Sequence, residues 1–256
     1  MKITIVTAIH NRANTIGSAL ESLRTQTHTD VEHVIQDGGS TDETLAVIAQ
    51  HSDHRTKLES IKDGGIYEAL NRGISRATGD VIGMLHSDDV LANTEVLSRV
   101  ATCFEDSSVQ GVYGDLEYVA KDDPSRVLRY WKSGNYHPAR LRRGWMPPHP
   151  TLFLRRTVYK DYGVYDTSFR ISADYEAMLR WFKYANLKFA YLPEVMVKMR
   201  VGGKSNRSLS NMLFKSREDL RAIRRHHIGG IGVLISKNLT KVPQFIKRNH
   251  EDRSTN

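Results

Sequence analysis

The first 90 residues alternate apolar, strand-like runs with helix-like segments, and this order restricts the fold more than any other feature of the chain. Strands separated by helices favour a parallel sheet that is covered by helices on both faces. We therefore predict an α/β fold with a doubly wound, mostly parallel sheet. The strand-like runs are "KITIVTAI", "VEHVIQD", "KLESIKD" and "DVIGMLHSDD", and the helical segments between them are "NTIGSALESLRTQ", "ETLAVIAQH" and "GIYEALNRGISRATG".

Local signals place the first two helices. Apolar residues at helical spacing predict the first helix, with Asn14 as its N-cap, and either Thr41 or Asp42 is predicted to cap the second. The buried face of the first helix is predicted to comprise Ile16, Ala19, Leu20 and Leu23.

The carboxyl ends of these four strands carry most of the polar chemistry. Right-handed crossovers bring such ends to one edge of the sheet, which is where open α/β folds bind ligands. The edge is acidic, and its aspartates are Asp37, Asp42, Asp63, Asp88 and Asp89. Adjacent carboxylates such as Asp88 and Asp89 repel each other, so they either lie on a solvated loop, cap a helix or hold a cation. Oxygen ligands of this kind suit Mg²⁺ or Mn²⁺.

The second half of the chain is less regular. A helix is predicted over 93–106, a strand over 109–120, a loop over 131–150, a helix from Ser172, a strand from 189 and a basic helix over 211–227. The loop is rich in Trp, Tyr, Arg, Pro and His, which favours a functional role over a simple connection.

Several classes of protein are excluded by missing features. The single cysteine, Cys103, permits neither an internal disulfide nor a multi-cysteine zinc site, and it is typical of a protein of the reducing cytosol. The N-terminus is interpreted as a strand and not as a signal peptide, and no apolar run is long enough to predict a membrane span. The chain has no G-x-G-x-x-G, no phosphate-binding G-x-x-x-x-G-K-[ST] and no H-E-x-x-H.

The net charge of +8 is concentrated in the C-terminal segment. Residues 204–256 contain 12 Lys or Arg and 4 Asp or Glu, so this segment alone carries +8 and the first 203 residues are neutral. Such a segment is a solvated surface, a surface for anionic lipid or a surface for nucleic acid. Its uninterrupted apolar stretch, "IGVLI", is too short to span a membrane, so only peripheral attachment is predicted.

Four motifs occur in order along the chain: "TAIHNR", "QDGGSTDET", "DGGIYEALNRGISRATGDVIGMLHSDD" and "ISADYEAMLRW". Together they resemble an inverting glycosyltransferase of family 2. The resemblance implies a GT-A fold, in which a Rossmann-like, mostly parallel sheet is flanked by helices. It also implies a nucleotide-sugar-binding half over 1–100, an acceptor half over 101–203 and a basic, helical tail over 204–256.

The implied activity is transfer of a sugar from a UDP- or GDP-sugar to an acceptor hydroxyl. The acceptor would be a glycan or a lipid-linked glycan of bacterial capsule, exopolysaccharide or lipopolysaccharide assembly. The enzyme would act in the cytoplasm, with the basic tail resting on an anionic membrane surface.

The resemblance also implies roles for individual residues. Asp88 would contact the metal or the ribose, and Asp89 would complete the metal site for Mg²⁺ or Mn²⁺. Position 86 is a departure, because many relatives carry Asp or Asn where this chain has His86. We expect His86 to be a polar neighbour of the site or, less readily, a third metal contact. The implied substrate-binding residues are Thr7, Ala8, His10, Asn11, Asp37, Asp63, Asn71, Arg72, Ser87 and His149.

Among these, Asp37 would read the nucleotide base, Asp63 would hold base or ribose, and Arg72 would offset diphosphate charge. The implied catalytic base is Asp174, whose place at a helix N-terminus favours its ionised form. Glu176 is the alternative base. Lys204 and Arg207, in the Gly-rich loop, are candidates to contact the donor phosphates.

Two other functions remain alternatives. Nucleotidyl transfer also uses metal-bound carboxylates on an α/β sheet, but the loop "TAIHNRANTIG" lacks the Gly-rich, basic character of that class. A non-enzymatic nucleic-acid-binding protein would explain the basic tail, but no recognised nucleic-acid motif accompanies those charges, so no nucleic-acid partner is expected.

Overall fold

The computed structural model describes residues 1–184, 187–201 and 209–240. Lys204 and Arg207 lie outside the described residues. Within this part of the chain, strands are β1 Ile3–Ile9, β2 Val31–Asp37, β3 Thr56–Ser60, β4 Val81–Met84, β5 Asp89–Leu91, β6 Val109–Val119, β7 Val127–Trp131, β8 Phe153–Arg155 and β9 Lys188–Arg200. The helices are α1 Ala13–Arg24, α2 Thr44–His51, α3 Ile66–Arg76, α4 Val96–Cys103, α5 Pro138–Leu141, α6 Arg156–Tyr162, α7 Ala173–Tyr184, α8 Leu209–Arg225 and α9 Ile231–Leu239, and a 3₁₀ turn covers His149–Thr151.

All described strands belong to one sheet, in the order β3-β2-β1-β4-β8-β6-β9-β5, with β7 paired to β6. Strands β1 to β4 pair in parallel, and helices connect them, as predicted. Their register places Ile9 opposite Asp37 and Asp37 opposite Ser60. The predicted α/β fold is confirmed, and the carboxyl ends of the first strands meet at one edge of the sheet.

Apolar burial explains why this half is well specified by its sequence. Every residue of β1 and β2 is buried, as expected for central strands covered on both faces. The predicted buried face of α1 is confirmed in full. Helix α3 packs very close to β1, because a Cβ on Gly73 would lie 2.4 Å from a methyl group of Val6.

Three local predictions for this half are wrong. Asn14 does not cap α1, because the helix already begins at Ala13. The fourth strand stops at Met84, and Asp89–Leu91 forms the separate strand β5, which pairs antiparallel with β9. The residues between them leave the sheet, which frees their side chains for the site. Neither Thr41 nor Asp42 is the N-cap of α2, because that position is Glu43, although the Asp42 carboxylate accepts from the Thr44 N–H.

The second half of the sheet is built on the long strands β6 and β9, which run parallel to each other. An aromatic cluster of Tyr113, Tyr136, Trp145, Phe182 and Phe189 packs between the sheet and α7, with ring centroids of Phe182 and Phe189 only 3.9 Å apart. Much of the 131–150 segment, predicted to be a functional loop, is therefore committed to core packing.

The C-terminal helices α8 and α9 join the same core as α7. Ala222, Ile223, Ile228 and Val233 are buried in it. Helix α9 lies directly against Gly144, where an added Cβ would come within 2.5 Å of the Lys237 backbone. In the ranges that the structure describes, no helix has the length and apolar character needed to cross a membrane.

Candidate functional site

The first acidic residue of the sheet edge, Asp37, is fully buried and organises its own turn. Its carboxylate accepts hydrogen bonds from the backbone of Gly39 and Ser40 and from the hydroxyls of Ser40 and Ser60. Burial by itself would raise the pKa of Asp37, but these hydrogen bonds outweigh it and lower the pKa. Asp37 is thus an ionised carboxylate that fixes the shape of the "DGGST" loop.

The end of β1 lies beside this loop. Thr7 is buried and donates to the carbonyl of Leu85, so its side chain ties β1 to the segment that follows β4. Ala8 is buried, whereas His10 and Asn11 are exposed. The side-chain oxygen of Asn11 accepts from the Thr41 N–H, and Asn11 itself has the positive φ of 52° that a tight turn requires.

The three predicted residues near α3 have different surroundings. Asp63 is half-buried, accepts from the Gly65 N–H and packs against Gly38, where a Cβ would lie 2.5 Å from its carboxylate. Arg72 forms an ion pair with Glu68 at 2.5 Å on the helix surface.

Asn71 faces the acceptor half. Its amide donates to the carbonyl of Tyr165 at 2.8 Å and accepts from the Tyr165 N–H at 3.0 Å. Both polar groups of Asn71 therefore anchor the segment that leads into α7.

The carboxylate pair follows β4, as the sequence indicates. Ser87 is buried and Asp88 is half-buried, and the carbonyl of Asp88 accepts from the Arg200 guanidinium at 2.8 Å. Asp89 is 1% exposed, and neither of its carboxylate oxygens has a hydrogen-bond partner among the described residues.

This environment suits a cation. Burial, and next the charge of Asp88, raise the pKa of Asp89 well above its usual value. A buried carboxylate without partners is costly, and a bound cation relieves that cost. The described residues contain no cluster of three or more His, Cys, Asp or Glu side chains suited to a metal. A site with only two carboxylates fits Mg²⁺ or Mn²⁺, which complete their coordination with water and substrate phosphates.

Between this motif and α7 lie two histidines in direct contact. The Nε2 atoms of His86 and His149 are 2.9 Å apart, and the two rings meet edge to face. On its other side, Nδ1 of His149 lies 3.2 Å from Oδ2 of Asp174. The candidate metal motif and the candidate base are therefore joined through two imidazoles.

The charge states along this connection follow from burial. Desolvation lowers the pKa of His86 and lowers that of His149 to about 4, so both rings are neutral at neutral pH. Burial would raise the pKa of Asp174, but two groups outweigh it and lower that pKa: His149, which is cationic only at acidic pH, and the positively charged Lys215. Asp174 is ionised and able to accept a proton.

Two residues that the sequence did not indicate hold Asp174 in place. The Tyr67 hydroxyl has two acceptors within hydrogen-bond distance, Oδ1 of Asp174 at 3.1 Å and the carbonyl of Ile171 at 2.5 Å, which share its single hydrogen. Glu218, on α8, accepts from the backbone N–H groups of 170, 171 and 172 at 2.7–2.9 Å, and so caps the segment that leads directly into α7. These partners are separated by 46 to 107 residues along the chain, so no local pattern could have revealed them.

The alternative base, Glu176, has a structural role. It is 1% exposed and accepts from Arg180 at 3.0 Å, and the Nε2 atom of His226 lies 2.7 Å away. Its carboxylate is therefore committed to packing α7 against α8, and Asp174 is the carboxylate of this helix that faces the histidines.

Comparison with known proteins agrees with this geometry. The profile described as Glycosyl transferase family 2 matches residues 4–171. A PGL/p-HBAD biosynthesis glycosyltransferase of Mycobacterium bovis is 32% identical over 208 residues, which covers 79% of this chain and 78% of the relative.

Solved structures share the GT-A fold at low sequence identity. S. aureus TarS 1-349 in complex with UDP-GlcNAc superposes with a TM-score of 0.67 at 18% identity, covering 88% of this chain and 65% of that one. The mannosyltransferase PcManGT from Pyrobaculum calidifontis, in complex with GDP-Man and Mn2+, superposes with a TM-score of 0.67 at 15% identity, covering 95% and 70%. From the extent of the profile match and the identity with its relatives, the chain belongs to glycosyl transferase family 2.

Proposed function

We propose that this glycosyltransferase moves a sugar from a nucleotide-sugar donor to an acceptor hydroxyl with inversion and with the assistance of a divalent cation. The observation that carries the proposal is the connection from the carboxylate motif to Asp174 through His86 and His149. It brings a site for an anionic leaving group next to an ionised base at one edge of the sheet.

The reaction follows from these positions. Asp174 accepts the proton of the acceptor hydroxyl while the hydroxyl oxygen forms its bond to the anomeric carbon. The bond from that carbon to the diphosphate breaks on the opposite face, so the configuration inverts. Asp88 and Asp89 would hold Mg²⁺ or Mn²⁺, which when bound supplies positive charge for the leaving diphosphate. The "DGGST" loop, organised by Asp37, and Asp63 would contact the nucleoside.

Structures of other GT-A proteins support a nucleotide-sugar donor, since TarS binds UDP-GlcNAc and PcManGT binds GDP-Man with Mn2+. The name of the mycobacterial relative, which refers to PGL/p-HBAD biosynthesis, supports an acceptor of cell-surface glycolipid or polysaccharide assembly. The alternatives of nucleotidyl transfer and nucleic-acid binding have no comparable support.

The surface of α8 and α9 supports peripheral attachment to an anionic membrane. Ile231, Ile235 and Leu239 are 57%, 54% and 62% exposed, and their spacing of four residues places them on one face of α9. The only acidic residues in 209–240, Glu218 and Asp219, are buried, so the exposed charges of these helices are cationic. An apolar stripe on α9, together with exposed arginines on the preceding helix α8, is a composition that binds anionic lipid head groups.

A donor-binding and hydrolysis assay tests the proposal without knowledge of the acceptor. We expect UDP- or GDP-sugars with Mn²⁺ to raise the melting temperature of the wild type, and to raise that of Asp88→Asn/Asp89→Asn much less. With water as the acceptor, Asp174→Asn should keep the thermal shift but release nucleotide about 10²- to 10⁴-fold more slowly. Asp161→Asn, at an exposed position of α6, is the matched control. The absence of a shift with any of these donors, or wild-type hydrolysis by Asp174→Asn, would contradict the proposal.

A further inference from the structure

The two histidines between the carboxylate motif and Asp174 lie in contacts that favour one tautomer of each ring. We propose that His149 and His86 are positioning residues for the catalytic base, in which His149 holds one oxygen of Asp174 and His86 holds His149 in the required tautomer. The proposal rests on the proposed function, in which Asp174 is the base.

The direction of the contacts follows from counting protons. A carboxylate would repel a lone pair on the Nδ1 atom of His149, which lies 3.2 Å from Oδ2, so this contact favours the tautomer with a hydrogen on Nδ1. A neutral imidazole has a single N–H, so the Nε2 atom of His149 is then an acceptor. The Nε2 atom of His86, 2.9 Å away, must supply the hydrogen to that contact. His86 thereby selects the His149 tautomer that donates to Asp174.

The surroundings keep this arrangement rigid. His149 lies between Pro148 and Pro150 at the start of a 3₁₀ turn, so its backbone has little freedom. The other oxygen of Asp174 lies 3.1 Å from the Tyr67 hydroxyl. With one group at each oxygen, the plane of the carboxylate is fixed, and a lone pair on each oxygen remains for an acceptor hydroxyl.

This arrangement also accounts for the departure at position 86. An aspartate there could only accept, so it could not donate to the Nε2 atom of a neutral His149. It would instead favour a hydrogen on Nε2 and compete with Asp174 for the single N–H of the ring. A histidine at 86 is therefore matched to the presence of His149 beside the base.

Amide substitutions can separate the two contacts. The side-chain nitrogen of Asn occupies roughly the place of Nδ1, and that of Gln roughly the place of Nε2. His149→Asn therefore keeps a donor toward Asp174, whereas His149→Gln does not. Likewise His86→Gln keeps the donor toward His149, whereas His86→Leu removes it. Exposed His54, substituted by Leu, is the matched control.

We expect His149→Gln and His86→Leu to lower kcat for donor hydrolysis by about 10- to 100-fold, the usual effect of removing a partner that orients a functional group. Their donor KM and their thermal shift with donor and Mn²⁺ should stay at the wild-type values. His149→Asn and His86→Gln should lose less of kcat than these two. The double variant His86→Leu/His149→Gln should be no slower than His149→Gln alone, because His86 acts through His149.

Three results would overturn the proposal. One is a loss from His86→Leu that is as large in the His149→Gln background as in the wild type. Another is a change confined to donor KM or to the thermal shift, which would make the histidines donor contacts. The third is a loss of kcat that is as large in His149→Asn as in His149→Gln, and as large in His86→Gln as in His86→Leu. That result would indicate that the histidines act through packing alone. Failure of the proposed function would give a different result, namely donor hydrolysis at the wild-type rate by Asp174→Asn.

Discussion

Asp89 shows the conflict between binding and stability in a single side chain. Its carboxylate is buried without a hydrogen-bond partner, and burial together with the neighbouring charge of Asp88 raises its pKa. In an unfolded chain the same group ionises freely near pH 4. The folded protein therefore carries a penalty at neutral pH that the unfolded chain does not, and a cation bound at this position would relieve it.

We expect Asp89→Asn to be more stable than the wild type at pH 7 in EDTA, by about 1–3 kcal/mol of unfolding free energy. The loss of wild-type stability begins as the pH rises above the pKa of Asp89 in the unfolded chain, and it grows until the pH reaches the raised pKa of Asp89 in the folded protein. The difference in unfolding free energy between the two proteins should therefore vanish below about pH 4. Urea denaturation at pH 4 and pH 7 measures it.

The half-buried Asp88, substituted by Asn, is the control and should change stability less. Addition of Mn²⁺ should then stabilise the wild type and not Asp89→Asn. A variant that is less stable than the wild type at pH 7 in EDTA would contradict the account of Asp89.

Residues whose role depends on local sequence could be predicted, and those whose role depends on distant partners could not. Adjacent aspartates after an apolar run indicated the carboxylate motif, and the resemblance of "ISADYEAMLRW" to the family indicated Asp174 as the candidate base. Tyr67 and Glu218 gave no such signal, because each is an ordinary residue of an ordinary helix until the fold brings it to Asp174 or to the start of α7.

At the scale of elements, helix α7 is held by contacts with the C-terminal helices. Glu218 binds the backbone just before its first turn, and His226 contacts Glu176 within that turn. The ammonium group of Lys237 lies 3.2 Å from the centre of the Tyr175 ring while pairing with Asp219 at 2.7 Å. The helix that carries the candidate base is therefore positioned by a part of the chain that the family profile does not cover.

Glu218→Gln should separate this positioning from the chemistry. A glutamine offers one acceptor oxygen in place of two, and its amide would face backbone N–H groups that also donate. We expect the free energy of unfolding to fall by about 1.5–3 kcal/mol, the usual worth of hydrogen bonds to a charged group. Donor hydrolysis should slow while the donor-induced thermal shift persists.

Chemical denaturation and nucleotide release measure the two effects of Glu218→Gln. Exposed Glu105, substituted by Gln, is the control. Stability and hydrolysis both at the wild-type level would show that the cap does not hold α7.

Long elements were predictable because their apolar residues repeat several times, as in α1 and β1. The short ones were not: β5, β8 and α5 have three or four residues each, which is too few to show a period. The pairing of β5 with β9 could not be predicted either, because those strands lie more than 100 residues apart and neither sequence indicates which strand it pairs with.

For the whole molecule, the uneven charge and the apolar stripe of α9 make one surface chemically unlike the rest. We expect the wild type to co-sediment with vesicles of phosphatidylcholine and phosphatidylglycerol more than with phosphatidylcholine alone. Ile231→Ser/Ile235→Ser/Leu239→Ser should weaken that binding about tenfold or more, because even partial burial of three aliphatic side chains exceeds ~1.4 kcal/mol.

Leu58→Ser/Leu128→Ser, at positions 42% and 44% exposed, is the matched control. Equal sedimentation of the wild type, the triple variant and the control would show that the stripe of α9 does not bind the membrane and is an ordinary solvated surface. A dimer that the triple variant dissociates, seen by light scattering, would assign the stripe to a second copy. Removal of the helices would not be a fair test, because Ala222 and Ile223 are fully buried in the core.

The Glu218 cap has a consequence for the order in which the protein is made. Glu218 follows the backbone groups that it caps by 46 to 48 residues, whereas strands β1 to β4 are complete by residue 84. On the ribosome, the nucleotide side of the sheet can therefore assemble while the segment before α7 still lacks its cap. We expect a nascent chain to bind donor before it can transfer sugar, with activity beginning only when α8 has left the exit tunnel.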